Sequence, residues 1–161
     1  MPPRPTKRFY RRDSVTLAKA LLGQRLVRVL GNRKHTRLAG TIVEVEAYLG
    51  EKDRAAHTFG GRRTPRNESM WRDGGHAYVY FTYGMHHCVN VVASVAGDPV
   101  AVLIRALEPA EGLDAMYKHR SKAKRDTDLC SGPAKLCQAL AIDRNLDGCD
   151  LTQSKHLFIE Q

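Results

Sequence analysis

The strongest constraint on the fold of this chain is a ten-residue stretch, Thr41–Gly50, in which side-chain character alternates from one residue to the next. A two-residue period is typical of a β-strand, because successive side chains point to opposite faces of the sheet. We expect the apolar face to pack on a hydrophobic core. That face comprises Val43, Val45, Ala47 and Leu49, and the other face comprises Ile42, Glu44, Glu46 and Tyr48.

The polar face of this predicted strand has two possible roles. A carboxylate two residues from a tyrosine can activate a water molecule beside a flat ligand, since both side chains lie on one face. The alternative is the solvent-exposed face of an ordinary amphipathic strand, because glutamate is mostly exposed in folded proteins. The motifs that follow in the chain decide between these two roles.

Length and charge limit the class of protein. The 161 residues suffice for one domain with a substantial core. Against 17 Asp and Glu stand 26 Lys and Arg, a net charge of +9, which favours a polyanionic partner such as DNA, RNA or an anionic membrane surface. No apolar run approaches the roughly 20 residues of a membrane span, and the Pro- and Arg-rich start lacks the features of a secretory signal. We therefore expect an intracellular protein that does not enter the membrane.

The cysteines do not have the spacing of a metal site. None forms the Cys-x-x-Cys pair of a zinc ribbon. His86, His87 and Cys88 are consecutive, but neighbours on a strand point to opposite faces. We therefore expect reduced, partly buried thiols and no metal. The four cysteines are Cys88, Cys130, Cys137 and Cys149.

The first twelve residues differ in composition from the rest of the chain. Residues 1–12 contain three prolines and five basic residues. Such a segment is predicted to form a flexible basic arm that contacts phosphates. Residues 13–161 are predicted to form a single folded domain, since we find no repeat or low-complexity segment within them.

The domain is predicted to begin with a helix and a β-hairpin. Asp13 or Ser14 caps the helix, and Gly23 stops it. Gln24–Leu30 forms the first strand of the hairpin, and the alternating stretch described above forms the second. Gly31–Lys34 supplies the turn between them.

A long basic loop, Gly50–Gly75, follows the strand that carries the carboxylates. Functional residues are common in such loops. The loop contains His57 and the consecutive cations Arg62 and Arg63. His57 is either part of a site or a surface histidine that caps local structure, and the loop sequence does not distinguish these roles.

A second β-hairpin is predicted from Ala77–Thr82 and His86–Ser94. Its tip is Tyr83-Gly84-Met85. Hairpin tips are normally polar, so an aromatic residue and a methionine there indicate insertion into a partner's groove or into a stack of bases. The alternative is that a neighbouring loop covers both side chains.

Arg105 interrupts a strongly apolar strand predicted at Val100–Leu107. An arginine in such a run needs a carboxylate or phosphate partner, because an unpaired charge is costly to bury. Pro109 is predicted to end this strand, and a helix is predicted to follow at Glu111–Arg120.

A further helix is predicted at Ala134–Leu140. Ser131 is expected to be its N-cap, and Pro133 lies in its first turn. Lys135, beside the start of this helix, offers a seat for a phosphate.

Seven short motifs occur in a fixed order along the chain. They are Glu-Ala-Tyr-Leu-Gly at 46–50, the loop around His57, Thr-Pro-Arg-Asn at 64–67, Tyr-Val-Tyr at 78–80, Tyr-Gly-Met at 83–85, Arg-Ala-Leu-Glu-Pro at 105–109, and Cys-Ser-Gly-Pro-Ala-Lys-Leu-Cys-Gln-Ala-Leu at 130–140. Together they resemble the alkyladenine (3-methyladenine) DNA glycosylase family, mammalian type. The resemblance extends from the first helix onward, and the shared order makes coincidence improbable although each motif alone is weak.

The resemblance implies a fold and an activity. The fold is α+β: a single mixed domain with a curved antiparallel β-sheet, flanking helices and a protruding β-hairpin. The activity is that of a monofunctional glycosylase of base-excision repair, which removes alkylated or deaminated purines from double-stranded DNA after flipping them out of the stack. The resemblance also implies no cofactor and a monomeric enzyme.

The resemblance assigns roles to individual residues. Glu46 is the general base that deprotonates the attacking water, and Arg105 helps to hold that water. One carboxylate suffices, because an alkylated purine cation is already a good leaving group. The residues around the flipped base are Tyr48, His57, Tyr80 and Asn90, the last of which excludes the amino group of normal guanine. Tyr83 fills the gap in the duplex. From their own character and position, rather than from the resemblance, Met85, Arg62 and Lys135 are also expected to contact DNA.

Two other function classes compete with this one. A non-catalytic nucleic-acid-binding module accounts for the charge and the tyrosines, but it has no use for Glu46 in an aromatic pocket, where a carboxylate repels phosphate. A hydrolase of small nucleosides has no use for an apolar wedge or for a net charge of +9.

The last residues of the sequence carry one more expectation. Leu157–Gln161 is an apolar run that is predicted to begin a strand. Members of the resembled family usually continue with further strands and basic residues beyond this point. The sequence therefore predicts either a truncated chain or a minimal member of that family.

Overall fold

In a computed structural model, which describes residues 2–31 and 33–161, the chain forms an α+β domain on one curved antiparallel sheet. In these residues the sheet has six strands in the order β3-β4-β5-β2-β1-β6. This confirms the predicted fold class. The strands are β1 (Arg25–Val29), β2 (Arg37–Tyr48), β3 (Ala77–Thr82), β4 (His86–Val92), β5 (Ala101–Glu111) and β6 (Leu157–Glu160). The helices are α1 (Lys7–Tyr10), α2 (Ser14–Leu21), α3 (Leu113–His119), α4 (Asp126–Leu129) and α5 (Pro133–Ala139).

Within the described residues the core has one large part and two small ones, and Val27, Ala39 and Phe158 form one of the small parts. Helices α2 to α5 pack against β2, β4 and β5 and bury the large part, which includes Leu21, Val79 and Leu136. Because neighbours on a strand point to opposite faces, Tyr78 belongs to a second, smaller cluster with Met70. Short 3₁₀ turns at Gly50–Lys52, Phe59–Gly61 and Glu68–Trp71 carry the loop between β2 and β3. None of the helices in the described residues is long and apolar enough to cross a membrane.

The alternation predicted for β2 is wrong at its centre. Ile42 is buried, whereas Val43 is 52% exposed. The register with β5 shifts between Ile42 and Glu44, so that Val43 has no partner. A bulge of this kind adds one residue and moves the following side chains to the other face. Val45 therefore packs against the large core while Glu44 faces solvent.

Two further predictions about element ends are corrected. Pro109 was predicted to end strand β5, but the strand continues through it to Glu111. The register with β2 shifts there and leaves Ala110 unpaired, which makes a bulge. Proline is tolerated at a bulge. The N-cap of α5 is Gly132 rather than Ser131, and no side chain caps this helix. Pro133 occupies its first turn, as predicted.

The segment predicted as a flexible arm is packed for much of its length. Residues 7–10 form α1, and the side chain of Tyr10 is fully buried. The backbone of Ser94 donates to the carbonyl of Tyr10, and a Cβ at Gly74 would lie 2.7 Å from that same oxygen. The glycine therefore permits the close approach. Met1 of the predicted arm and Asn32 of the predicted turn lie outside the described residues.

Both outer strands of the sheet have neighbours along part of their free edges. Beside β3, the carboxylate of Asp147 accepts from the backbone N–H of Val79 at 2.9 Å, and Gly148 donates to the carbonyl of Ala77. Beside β6, the carbonyl of Pro3 accepts from Gln161 at 3.0 Å. Outer strands with such neighbours have fewer free backbone groups.

Candidate active site

Two side chains hold the carboxylate of Glu46 at the end of β2. The Tyr48 hydroxyl donates to Oε1 at 2.5 Å, and Nη1 of Arg105 donates to Oε2 at 3.1 Å. Partial burial, followed by the contact with Glu46, raises the pKa of Tyr48 above its usual range, so this hydroxyl remains a donor. The side chain of Glu46 is 43% exposed. The carboxylate is thus fixed in direction and still open to solvent.

Arg105 interrupts the apolar first part of β5, and it contacts two carboxylates. Besides Glu46, it binds Glu44, whose Oε1 accepts from its Nε at 2.9 Å. The contact with Glu44, ahead of the field of Glu46, raises the pKa of this guanidinium. The sequence predicted a carboxylate or phosphate partner for Arg105, and the structure provides two carboxylates.

An aromatic pocket opens beside this carboxylate. A flat ring system stacks well on aromatic side chains. Tyr48 belongs to both features, since it lines the pocket and hydrogen-bonds Glu46. The lining residues are Tyr48, Ala55, His57, Met70, Tyr78, Tyr80 and Asn90.

His57 closes one side of the pocket and is uncharged at neutral pH. Its Nδ1 hydrogen-bonds the Tyr78 hydroxyl at 2.8 Å, and its ring meets that of Tyr80 edge-on at 4.6 Å. Loss of solvent around the imidazole lowers its pKa, and the cations of Arg66 and Arg62 lower it further. Burial raises the pKa of Tyr78 to about 12. The walls next to His57 are therefore polar but neutral.

The loop that carries His57 is held by Asn67 rather than by a helix. The buried side chain of Asn67 accepts from the backbone N–H of Thr64 and donates to the carbonyls of His57 and Arg62. This single amide joins both ends of a ten-residue turn. The Thr-Pro-Arg-Asn motif at 64–67 thus has a structural role beside the pocket.

Asn90 lies on the wall of the pocket. It is 3% exposed, and its Nδ2 donates to the carbonyl of Tyr78 at 3.2 Å across the β3–β4 pair. The bond fixes the amide, so its polar atoms have a defined position beside a bound ring.

The tip of the β3–β4 hairpin projects into solvent. Tyr83 is 91% exposed and Met85 is 70% exposed. The alternative that a neighbouring loop covers both side chains is therefore wrong. Tyr83 has a φ of 51° and Gly84 a φ of 68°, which is the left-handed pair that twists a tight hairpin. A tyrosine in this conformation is strained, and such strain is common where a side chain is presented to a partner.

Two residues predicted for the site lie away from the pocket. Met85 lines a groove on the α5 side of the hairpin, together with His86 and Ala134. Lys135 projects from α5 into solvent, and its Nζ is 3.5 Å from the Ser131 hydroxyl. The structure therefore separates these residues from the aromatic pocket, whereas it brings Glu46, Arg105 and the pocket residues together.

Among the described residues, no group of three His, Cys, Asp or Glu side chains is placed to hold a metal ion. All four cysteines are free, and three of them are buried.

Comparison with known proteins identifies the family. A family model described as methylpurine-DNA glycosylase matches residues 8–161. The chain belongs to the methylpurine-DNA glycosylase family. Human DNA-3-methyladenine glycosylase is 50% identical to it, with 95% of this chain and 53% of the human protein aligned. The mouse protein of the same name is also 50% identical, over 94% of this chain and 47% of its own length.

Bacterial members of the methylpurine-DNA glycosylase family are nearer to this chain in length. A putative 3-methyladenine DNA glycosylase of Clostridium acetobutylicum is 46% identical, over 96% of this chain and 77% of its own length. By contrast, the chain spans about half the length of the human and mouse relatives it matches.

Three residues of this family member's site were missed by sequence reasoning. Tyr78 lies two residues before Tyr80, so the strand period places both rings on one face, and this signal was available. Arg66 lies over the Tyr80 ring at 5.7 Å and donates to the carbonyl of Phe81 at 2.7 Å. Glu44 was noted only as a polar residue of β2, because its contact with Arg105 depends on strand register.

Proposed function

We propose that this protein is a monofunctional DNA glycosylase of base-excision repair. It hydrolyses the N-glycosidic bond of alkylated or deaminated purines that are flipped out of double-stranded DNA. One observation supports this proposal above all: a fixed, solvent-accessible carboxylate, Glu46, stands at the mouth of a neutral aromatic pocket and shares Tyr48 with it.

Glu46 acts as the general base. Its two oxygens are held by Tyr48 and Arg105, which set the direction of the remaining lone pairs toward a water molecule at the rim. The water loses a proton to Glu46 as its oxygen attacks the anomeric carbon, and the bond to the purine nitrogen breaks. General-base catalysis of this kind contributes typically about 10²–10⁴-fold in rate.

The neutral pocket suits a purine that already carries positive charge. Alkylation at a ring nitrogen makes the purine a cation, and it leaves as a neutral base without further protonation. A charged imidazole would repel such a ring, but His57 is held neutral by lost solvent and by the nearby arginines. Tyr48, Tyr78 and Tyr80 supply aromatic surfaces for the purine face.

The exposed hairpin tip supplies the side chain that replaces the flipped nucleotide. Extruding a nucleotide from the duplex costs a few kcal/mol. Tyr83 is exposed at the end of β3, within reach of a duplex laid against the pocket rim. Stacking of its ring on the flanking bases is worth roughly 1–3 kcal/mol per contact and offsets part of that cost.

Arginines beside the pocket and the overall charge provide the DNA affinity. Arg62 and Arg66 are exposed and frame a second cavity on the far side of His57. With a net charge of +9, the chain gains affinity from counterion release. We propose that it acts as a monomer, since one chain carries pocket, base and wedge. We place it in the compartment that holds DNA, the nucleoid in bacteria or the nucleus in eukaryotes.

The test is incubation of the 161-residue chain with a duplex oligonucleotide that contains one alkylated purine, followed by alkali to cleave abasic sites. We expect strand cleavage at the lesion and none in the undamaged duplex. Binding without cleavage would instead favour a non-catalytic nucleic-acid-binding module, and release of base from free nucleosides would favour a nucleoside hydrolase. Either result would contradict the proposal.

The same duplex tests the electrostatic contribution to DNA affinity. We expect log K to fall linearly with log salt, with a slope of about −0.9 for each phosphate contact. A flat plot would contradict DNA as the partner.

A further inference from the structure

We infer that Glu44 is a positioning residue of this site, which acts on Glu46 only through the guanidinium of Arg105. The inference rests on the proposed glycosylase function. Glu44 does not line the aromatic pocket, and its contact with the site described above is the hydrogen bond from Nε of Arg105.

The planar shape of the guanidinium makes this bond directional. Nε of Arg105 donates to Glu44 at 2.9 Å, and Nη1 donates to Glu46 at 3.1 Å. Because all five N–H groups of an arginine lie in one rigid plane, a bond at Nε fixes where Nη1 points. Without Glu44, the side chain of Arg105 is free to rotate about its aliphatic bonds, and its aim at Glu46 is lost.

The backbone of the strand pair is shaped to bring these groups together. Ile42 pairs with Leu107, Glu44 with Ala106, and the next pair is Val45 with Ile104. Val43 on β2 and Arg105 on β5 therefore each lack a partner in the register. Paired irregularities of this kind redirect side chains, and they occur preferentially beside active sites. Here they set Arg105 between the two glutamates of β2.

A purely stabilising role does not account for this contact. The side chains of Arg105 and Glu44 are 36% and 59% exposed, and ion pairs this exposed contribute little to stability. A role as mere surface charge has a different signature. A carboxylate on a surface that faces DNA repels phosphate, so its removal would tighten binding and leave the chemical step unchanged.

The first experiment measures single-turnover excision by the Glu44→Ala variant, which removes the acceptor for Nε of Arg105. Enzyme is in saturating excess, which separates the chemical step from binding. We expect the rate to fall roughly tenfold, a small displacement of a catalytic group being enough for such a loss. The melting temperature should stay near that of the wild type. A wild-type rate in this variant would overturn the inference.

Glu111→Ala is the matched control. Glu111 also accepts from an arginine Nε, that of Arg37 at 2.7 Å, at the end of the same strand pair and away from Arg105. We expect this variant to excise at the wild-type rate. A tenfold loss there too would overturn the inference, because the effect would then not be specific to Arg105.

A double-mutant cycle tests whether Glu44 acts through Arg105. In an Arg105→Ala background, Glu44→Ala should change the rate less than twofold, since the residue that Glu44 positions is gone. Independent, multiplying losses would overturn the inference. The proposed function fails separately: if the wild-type chain does not excise the base at all, the function is wrong whatever the variants do.

Discussion

Two clusters of charged side chains, one at the Glu111 end of the β2–β5 pair and one near its middle, each place one arginine between two glutamates, and they differ in their surroundings. In the cluster with a buried carboxylate, called the buried cluster below, Arg37 joins Glu111 and Glu160, and Arg25 also binds Glu111 at 3.0 Å. In the exposed cluster, Arg105 joins the two glutamates of β2. Glu160 is 1% exposed, whereas Glu46 is 43% exposed. One arginine between two carboxylates therefore serves two purposes, and burial decides which.

The energetic reason is desolvation. Removing one partner of a buried pair leaves an uncompensated charge and costs about 3–5 kcal/mol, whereas an exposed pair contributes about 0–1 kcal/mol. The buried cluster therefore ties β2, β5 and β6 together. The exposed cluster contributes little to stability. Its hydrogen bonds instead fix the direction of the Glu46 carboxylate.

The largest expected effect is at the exposed cluster. Glu46→Gln should lower single-turnover excision about 10²–10⁴-fold, because an amide cannot accept the proton of water. Binding of the damaged duplex and the melting temperature should be almost unchanged. An unchanged excision rate would break the comparison, since the exposed carboxylate would then have no chemical role.

The next effect is at the buried cluster. Glu160→Gln should lower the free energy of unfolding by about 3 kcal/mol, the lower end of the range for a broken buried pair, because Arg37 keeps some contact with solvent. Urea titration measures this change, with Glu44→Gln as the exposed comparison at no more than about 1 kcal/mol. Folded Glu160→Gln protein should retain wild-type excision. Equal losses of stability in the two variants would remove the distinction between the clusters.

The hairpin tip, which carries Tyr83, is a second exposed part of the molecule beside the exposed cluster. Tyr83→Ala should weaken binding and excision of a paired lesion by about 1–3 kcal/mol, the value of one lost stacking contact. The loss should shrink opposite a mismatch or gap, where flipping is already cheap. Tyr80→Ala is the control, because its ring lines the pocket and should matter equally in both duplexes.

The readout for the tip is the fluorescence of 2-aminopurine next to the lesion, which reports unstacking, measured together with excision. If Tyr83→Ala weakened binding and excision equally in paired and mismatched duplexes, and unstacking were unchanged, the assignment of Tyr83 as the wedge would be wrong. Stability should not change in this variant, since the side chain is 91% exposed.

The smallest effect concerns His57. Its imidazole is neutral, unlike the nearby cations Arg62 and Arg66. Its pKa is lowered by lost solvent and by Arg66 and Arg62. Above a pH of about 6.5 both folded and unfolded chains carry a neutral imidazole. Below it, the unfolded chain binds a proton that the pocket disfavours, so stability falls as pH falls. His57→Gln should flatten this fall in thermal unfolding between about pH 6.5 and pH 5. An identical pH dependence in both proteins would contradict the neutral pocket.

The sequence predicted the local parts of this molecule better than the parts that depend on register. The strand period at Thr41–Gly50 is local, so β2 follows from it. The two-residue spacing of Tyr78 and Tyr80 is equally local, although Tyr78 was missed. Whether Ile42 or Val43 is buried depends on a bulge against β5, which no pattern within β2 encodes.

Long-range contacts explain the other differences. Arg105 needed a partner on chemical grounds, but the choice of the two glutamates of β2 follows from strand pairing. The segment before Asp13 is rich in proline and charge, yet Tyr10 is fully buried because Gly74 leaves room for its backbone. One aromatic residue among charged neighbours gave too weak a signal for that contact.

The guarded edges of the sheet have a consequence for how this protein meets other chains. A sheet recruits a foreign peptide, or a second copy of itself, by offering unpaired backbone groups along an outer strand. Asp147 occupies the amide of Val79 on one side, and on the other the proline-rich start of the chain runs past Gln161, with few N–H groups to offer. Strand addition is thereby discouraged at these positions. Further along β3 the carbonyl of Phe81 is occupied as well, because it accepts from Arg66.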